Sequence, residues 1–522
     1  MTMTQSKGLG IVGAAVLLGI LGDALLRATP WGINAVIWMA VAVVAGWALL
    51  PGRPNTTRTL TGWPVLTALF FAACIAWRDS EFLAFWNSVA VLMALSLAAL
   101  QVRRVRLRTG TIIDYVKGAS VAGVNTVGGA LLISPSDLPW HQLSGRGRQV
   151  RAVTIGLLLA APVLLVFGGL LASADPGFER IVRSVIDLDF STLASHLVLG
   201  AGIAWMSAGF LRPIVAERDP VFAAATSFLE RGKHKPTLGI VEIGIPLGAL
   251  MVIFLVFVAL QARYLFGGET VILATAGLSY AEYARTGFFQ LVVAAALLLP
   301  VLLAADWALK RNGKRDARAF RILAIALLVS IGLIMLSALH RMSIYMDAYG
   351  LTEDRFYATA FMGWVGLVLA YFGATVLKGR RDRFAFGAVA RGFGLLAVLN
   401  TVNPDAAIVR VNLARAEGGN EFDMDYATRL SADAIPRFIE RMSALTPEVQ
   451  CEVLRSAAQR STRGGGDWRT WNLARSRAKR ALSRRAACPA DDTSQPAGDG
   501  EKMPGPEPER DGGDSPSAGH AA

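Results

Sequence analysis

Over residues 1–402, long runs of apolar side chains alternate with short polar stretches. About 20 consecutive apolar residues carry a helix across the hydrocarbon core of a bilayer. By that measure the sequence predicts eleven spans, near 9–27, 33–50, 62–78, 82–101, 152–172, 192–214, 238–261, 287–308, 320–341, 356–377 and 384–402. The stretch 340–372, HRMSIYMDAYGLTEDRFYATAFMGWVGLVLAYF, reads as a short polar turn, dense in Tyr, Arg and acid, between two spans. Segment 111–133 is also apolar, but it contains Asp114, Lys117 and Asn125 and has basic flanks on both sides. Two flanks on one side of a membrane require an even number of crossings, so a surface-lying or re-entrant helix is expected there. In PGFERIVRSVIDLDF, 176–190, apolar residues recur at helical spacing, which predicts an amphipathic helix on the interface. The fold class is therefore all-α, a polytopic helical membrane protein.

The pattern changes after Val402. Residues 403–486 are polar with helical periodicity and predict a small helical extramembrane domain, with helices expected in SADAIPRFIERMSAL, TPEVQCEVLRSAAQR and DWRTWNLARSRAKRALSRR. Residues 487–522, rich in Pro, Gly, Asp and Ser, predict a disordered tail.

Charge orients this framework. Arg and Lys cluster in alternate loops, such as Arg103, Arg104, Arg106 and Arg108, or Lys310, Arg311, Lys314 and Arg315, whereas the intervening loops carry mainly acids. The positive-inside rule then predicts a cytoplasmic N-terminus and a C-terminal domain on the opposite side of the membrane. The run Leu9–Leu26 is longer than a signal-peptide core and reads as a retained first span. The chain is 53% hydrophobic and only 17% charged, with a formal net charge of +13. On a soluble protein that charge would suggest nucleic acid. Here the topological bias accounts for it, so the expected partner is the lipid bilayer and not nucleic acid. Of the three cysteines, Cys74 reads as a buried hydrophobe, and Cys451 and Cys488 could pair only in an oxidising compartment.

No P-loop, HExxH, CxxC, GxSxG or kinase-type signature is present, and the five histidines are scattered. No catalytic residue, metal ligand or cofactor is therefore assigned, and a non-enzymatic reading is preferred. Asp23, His196, Glu242, Asp306 and Arg391 fall near predicted span ends, where snorkelling to the headgroups is expected. No predicted span has an ionisable group near its middle, which argues against a proton relay.

Six of the nine tyrosines gather in loops that the charge count puts outside. One aromatic belt would account for them. Their neighbours suggest a binding site instead. Ser279 and Glu282 fit a capping box, and Thr352 fits the N-cap of the tenth span. Capping leaves Arg285, Arg341 and Arg355 to hold an anionic small molecule or lipid headgroup. Tyr280, Tyr283, Tyr349 and Tyr357 would wall the site, Glu282 and Glu353 would flank it, and Asn403, Asp405 and Asn412 would close it. The alternatives are a secondary transporter and a membrane enzyme acting on lipid or envelope precursors. Protein partners are not indicated by the residues.

Four motifs in order, YAEYARTGFFQL, YGLTEDRFYATAFMGW, NPDAAIVRVNLAR with LSADAIP, and DWRTWNLARSRAKRAL, resemble the bacterial membrane family called domain of unknown function 4173, related to domain of unknown function 4153, over roughly residues 60–485. The resemblance implies a polytopic helical fold in the bacterial inner (plasma) membrane, which makes the C-terminal domain periplasmic. It brings no activity, so no catalytic or ligand residue is carried over.

Overall fold

The computed structural model describes residues 5–50, 55–102, 107–132, 190–215, 238–276, 288–310, 314–420, 422–461 and 466–484, with a few positions between 220 and 227. Among the described residues every regular element is helical. The membrane part comprises α1 (Gln5–Leu26), α2 (Ile33–Ala48), α3 (Asn55–Trp77), α4 (Glu81–Val102), α5 (Ile112–Gly128), α6 (Phe190–Val215), α7 (Ile240–Ala276), α8 (Phe288–Ala308), α9 (Lys314–Tyr349), α10 (Glu353–Thr375) and α11 (Phe384–Val402). Eight helices among the described residues are long and apolar enough to cross a membrane, and Ile33–Ala48 and Gly62–Trp77 are shorter apolar helices. The expected span at 152–172, and most of the amphipathic segment 176–190, lie outside the described residues.

The outward faces of these helices are apolar. On α7, Ile245, Val252, Ile253 and Val256 are all exposed, a surface suited to lipid and not to water. Inward, one core is built from α7–α10, with Leu302, Ala324, Leu327 and Phe372 fully enclosed. A second joins α2, α3, α4 and α11 around Phe71, Leu83 and Ala94. A third joins α1, α2 and α6 around Ile11 and Leu18. Small residues allow the closest crossings. A Cβ at Gly19 would stand 2.5 Å from the Gly200 carbonyl oxygen, and one at Gly209 would stand 2.3 Å from that of Asn125.

The 111–133 segment forms α5 and packs on α4 and α6. A reciprocal capping box starts it, Thr111 N–H donating to Asp114 Oδ2 at 2.8 Å and Asp114 N–H to Thr111 Oγ1 at 3.4 Å. Its Ile113, Val116, Val124 and Val127 are exposed and form an apolar face.

Two expectations change. The polar turn at 340–357 is mostly helix, since α9 runs on to Tyr349 and only residues 350–352 turn. Met342, Tyr345 and Met346 keep helical spacing and pack on the core, which sustains the helix past its apolar run. The 36 residues of α9 make it about 54 Å long, well over a bilayer core. The second change concerns charges near span ends, most of which pair within the protein. Asp306 is 4% exposed and meets Arg381 at 2.7 Å. Asp23 meets Arg27 at 2.8 Å and His196 at 2.5 Å, and the Arg391 guanidinium lies 3.5 Å from the Tyr371 ring centroid. Glu242 is exposed. A partner on a neighbouring helix at the same depth replaces water without stretching the side chain to the headgroups.

A C-terminal bundle follows: α12 (Pro404–Glu417), α13 (Met424–Ala427), α14 (Ile435–Arg441), α15 (Pro447–Ser461) and α16 (Leu473–Ser483). Its own core gathers Ile408, Leu413, Leu430 and Phe438.

Candidate functional site

The C-terminal bundle meets the membrane helices at the turn between α3 and α4, Arg78-Asp79-Ser80. Helix C-termini leave carbonyl groups without partners, and here long side chains from elsewhere in the chain fill them. Arg78 Nε donates to the Asn400 carbonyl at 2.6 Å and Nη2 to that of Thr401 at 3.4 Å, so its charge sits on the negative end of α11. Asn472, the N-cap of α16, donates to the Ile75 and Arg78 carbonyls at 2.9 Å each and accepts from Ala474 N–H at 2.9 Å. One amide thus closes α3 and opens α16.

The charges are matched within this junction. Arg78 Nη1 meets Asp433 Oδ1 at 2.9 Å, Asp433 Oδ2 accepts from Asp79 N–H at 2.6 Å, and the Asp79 carboxylate pairs with Arg475. Arg78, Asp433 and Arg475 are 7%, 5% and 5% exposed. Just below, Asn87 and Asn400 exchange two hydrogen bonds, at 3.0 and 2.8 Å, between α4 and α11.

A second set of contacts fastens the α9–α10 turn to α12. Asn412 Oδ1 accepts from Leu351 N–H and its Nδ2 donates to the Leu351 carbonyl, both at 2.8 Å. Gly350 has φ 76°, a left-handed conformation that suits glycine, and a Cβ there would stand 2.9 Å from Asn412 Oδ1. Arg415 donates to the Met346 carbonyl at 3.0 Å and the Ala348 carbonyl at 3.1 Å, and Arg355 to the Tyr349 carbonyl at 3.1 Å, so two cations hold the C-terminus of α9. Thr352 occupies the expected N-cap position of α10, but its side chain makes no capping bond. The Tyr426 hydroxyl takes that place, accepting from Glu353 N–H at 2.5 Å.

Beside it, the carboxyl groups of Glu353 and Asp405 meet. Asp405 is 1% exposed, and its Oδ2 accepts from Ser431 N–H at 3.2 Å and from the Ser431 hydroxyl. Burial first, then the like charges of Glu353 and Asp433, against the Ser431 hydrogen bonds, push its pKa up to about 7. The folded protein therefore keeps a proton that the unfolded chain, near 3.8, has released. Stability from this group is expected to be full below about pH 4, to fall as pH rises and to level off above about pH 7. In thermal unfolding between pH 4.5 and 8, Asp405→Asn should flatten that decline; parallel curves for wild type and variant would count against a proton held on folded Asp405.

Helical spacing builds a groove beside the buried charges. Asn403, the N-cap of α12, falls on one line with Ala406, Ala407 and Arg410, and Asp433, just before α14, recurs at the same spacing with Pro436, Arg437 and Glu440. Ala474 and Arg477 of α16 complete a polar groove of about 330 Å³. Four arginines face two acids in its lining. Both acids are engaged, Asp433 with Arg78 and Glu440 with Arg437 at 2.5 Å. Arg410 and Arg477 are exposed.

Tyr280, Glu282, Tyr283 and Arg285 of the expected site lie outside the described residues. Tyr349, Glu353, Arg355, Asp405 and Asn412 come together where the α9–α10 turn meets α12. The Arg355 guanidinium also lies 4.1 Å from the Tyr345 ring centroid. Tyr357 is stacked on Phe82 at 3.7 Å with its hydroxyl 3.4 Å from Ser80 Oγ. Arg341 stands apart, donating to Gln261 Oε1 at 2.6 Å. Asn403 lines the groove. The sequence reading overlooked Arg78, Arg410, Asp433, Arg437, Asn472 and Arg477 as site residues. The i, i+3, i+4, i+7 spacing from Asn403 to Arg410 was the available signal.

No curated protein and no solved structure matches the chain. One family model does, and it takes in every quoted motif except DWRTWNLARSRAKRAL. The chain belongs to the family described as Domain of unknown function (DUF4153), whose model matches residues 65–440.

Proposed function

We propose that this multi-pass membrane protein binds an anionic group, phosphate or carboxylate, in the groove between α12, α14 and α16. The observation that carries this is the pair Arg410 and Arg477. Both residues line a polar groove whose two acids already have arginine partners. Guanidinium forks suit planar or tetrahedral oxyanions, and charge-assisted bonds are about twice as strong as neutral ones. Asn403 is the expected site residue that contributes to the wall, and the cluster around Asp405 and Asn412 braces α12 behind it.

A bacterial inner-membrane location belongs to the same proposal and rests on the quoted motifs, and the cytoplasmic N-terminus and periplasmic C-terminal bundle rest on the loop charges. The resemblance to domain of unknown function 4173 belongs to it as well, on the quoted motifs. Inorganic phosphate added to the full chain in neutral detergent should raise its melting temperature. Arg410→Ala and Arg477→Ala should each weaken that binding about tenfold or more. Both residues are exposed, so the phosphate-free melting temperature should stay within about a degree. Undiminished phosphate binding in the double variant would refute the reading.

A further inference from the structure

The groove continues into an apolar stripe on a membrane helix. Val402 both lines the groove and is 48% exposed. One turn below it on α11, Val398 is 56% exposed, and Gly394, one turn lower, is exposed with open space where a Cβ would stand. These positions are i, i+4 and i+8 on a helix apolar enough to cross a membrane, so they form one outward line ending at the arginines.

The height of the groove relative to the bilayer follows from the neighbouring loop. The Trp471 carbonyl accepts from Ile33 N–H at 2.9 Å, and Arg469 Nη1 donates to the Ala24 carbonyl at 2.5 Å. Residues 469–471 are thus seated on the turn between two apolar helices, α1 and α2. Trp31, Trp468 and Trp471, exposed by 44%, 63% and 47%, ring this turn, and tryptophan collects at the headgroup level. α16, which supplies Ala474 and Arg477 to the groove, begins two residues after Trp471. Its Arg477, Lys479 and Arg480 are exposed, a basic face of the kind that meets anionic headgroups.

We infer that the anion held in the groove is the phosphate of a membrane lipid, which enters sideways from the bilayer with its acyl chains along Gly394, Val398 and Val402. This rests on the proposed anion site and adds its source. A free phosphate would use only the arginines. A lipid phosphate uses the arginines and the stripe together, and the stripe's exposure is then a matched surface.

The test compares three probes on the full chain in neutral detergent: dioctanoyl phosphatidic acid, glycerol 3-phosphate and dioctanoyl phosphatidylcholine. Phosphatidic acid should bind at least tenfold more tightly than glycerol 3-phosphate, and phosphatidylcholine, which carries no net charge, should bind more weakly than phosphatidic acid. Gly394→Gln with Val398→Gln, neither of which lines the groove, should remove most of the tenfold advantage and leave glycerol 3-phosphate binding unchanged. That unchanged binding also serves as the control for folding. Arg410→Ala with Arg477→Ala should lower binding of phosphatidic acid and glycerol 3-phosphate alike. Equal binding of phosphatidic acid and glycerol 3-phosphate, both lost in the arginine variant, would overturn the lipid inference and leave the anion site standing. Failure of all three probes to bind would overturn both.

Discussion

Replacing Arg78 with alanine is expected to loosen the C-terminal bundle from the membrane helices, at a cost of roughly 3–5 kcal/mol. The Arg78 side chain binds the Asp433 carboxylate and two carbonyls at the end of α11, and the contacts to Asp433 and Asn400 are buried. Removing it strands a buried carboxylate and leaves helix-end carbonyls without their donor at the floor of the groove. Loss of one partner of a buried pair costs far more than the pair contributes net. A double variant with Asp433→Ala should therefore lose less than the sum of the two single losses. Thermal unfolding in detergent, together with proteolysis of the region after residue 403, would measure this. Simple additivity of the two losses would show that the pair is not coupled.

Gly32→Ala should produce a comparable loosening by steric means. Gly32 precedes α2, and a Cβ there would lie 2.2 Å from the Trp471 carbonyl oxygen and 2.9 Å from that of Thr470. Both contacts are backbone, so no side chain can rotate away. The 468–471 loop would have to lift, which breaks the bond between Ile33 N–H and the Trp471 carbonyl. Overpacking of this kind costs about 1–3 kcal/mol. Hydrogen exchange should quicken over 466–484 and stay unchanged in α7–α10, whose core does not touch the loop. Unaltered protection over 466–484 would contradict the contact.

Run length made the membrane fold legible, because the hydrocarbon thickness sets a minimum for each crossing. The beginnings of α10, at Glu353, and α15, at Pro447, were also readable from local chemistry. The far end of α9 was not, because Met342–Tyr349 is polar enough to resemble a loop and is held helical by its contacts with the core and with α12. The site was harder still. Arg78 and Asp433 are 355 positions apart, and neither has a local pattern that names the other. Arg355 was expected to hold an anion and Asn412 to close its site. Their partners are backbone carbonyls and amides, which look the same at every position of a sequence. The groove face of α12 was the part that spacing alone could have revealed.

The amide of Asn472 has a consequence for the making of the protein. It closes α3 across 397 positions of chain, and Arg469 reaches back across 445 to α1. At about 5–20 residues per second, the first spans wait roughly 20–90 s in the bilayer before these side chains are synthesised. For that time the carbonyl groups at the end of α3 have only headgroup water to bond. Until α16 is synthesised and seated, the newborn chain is thus a half-closed membrane intermediate.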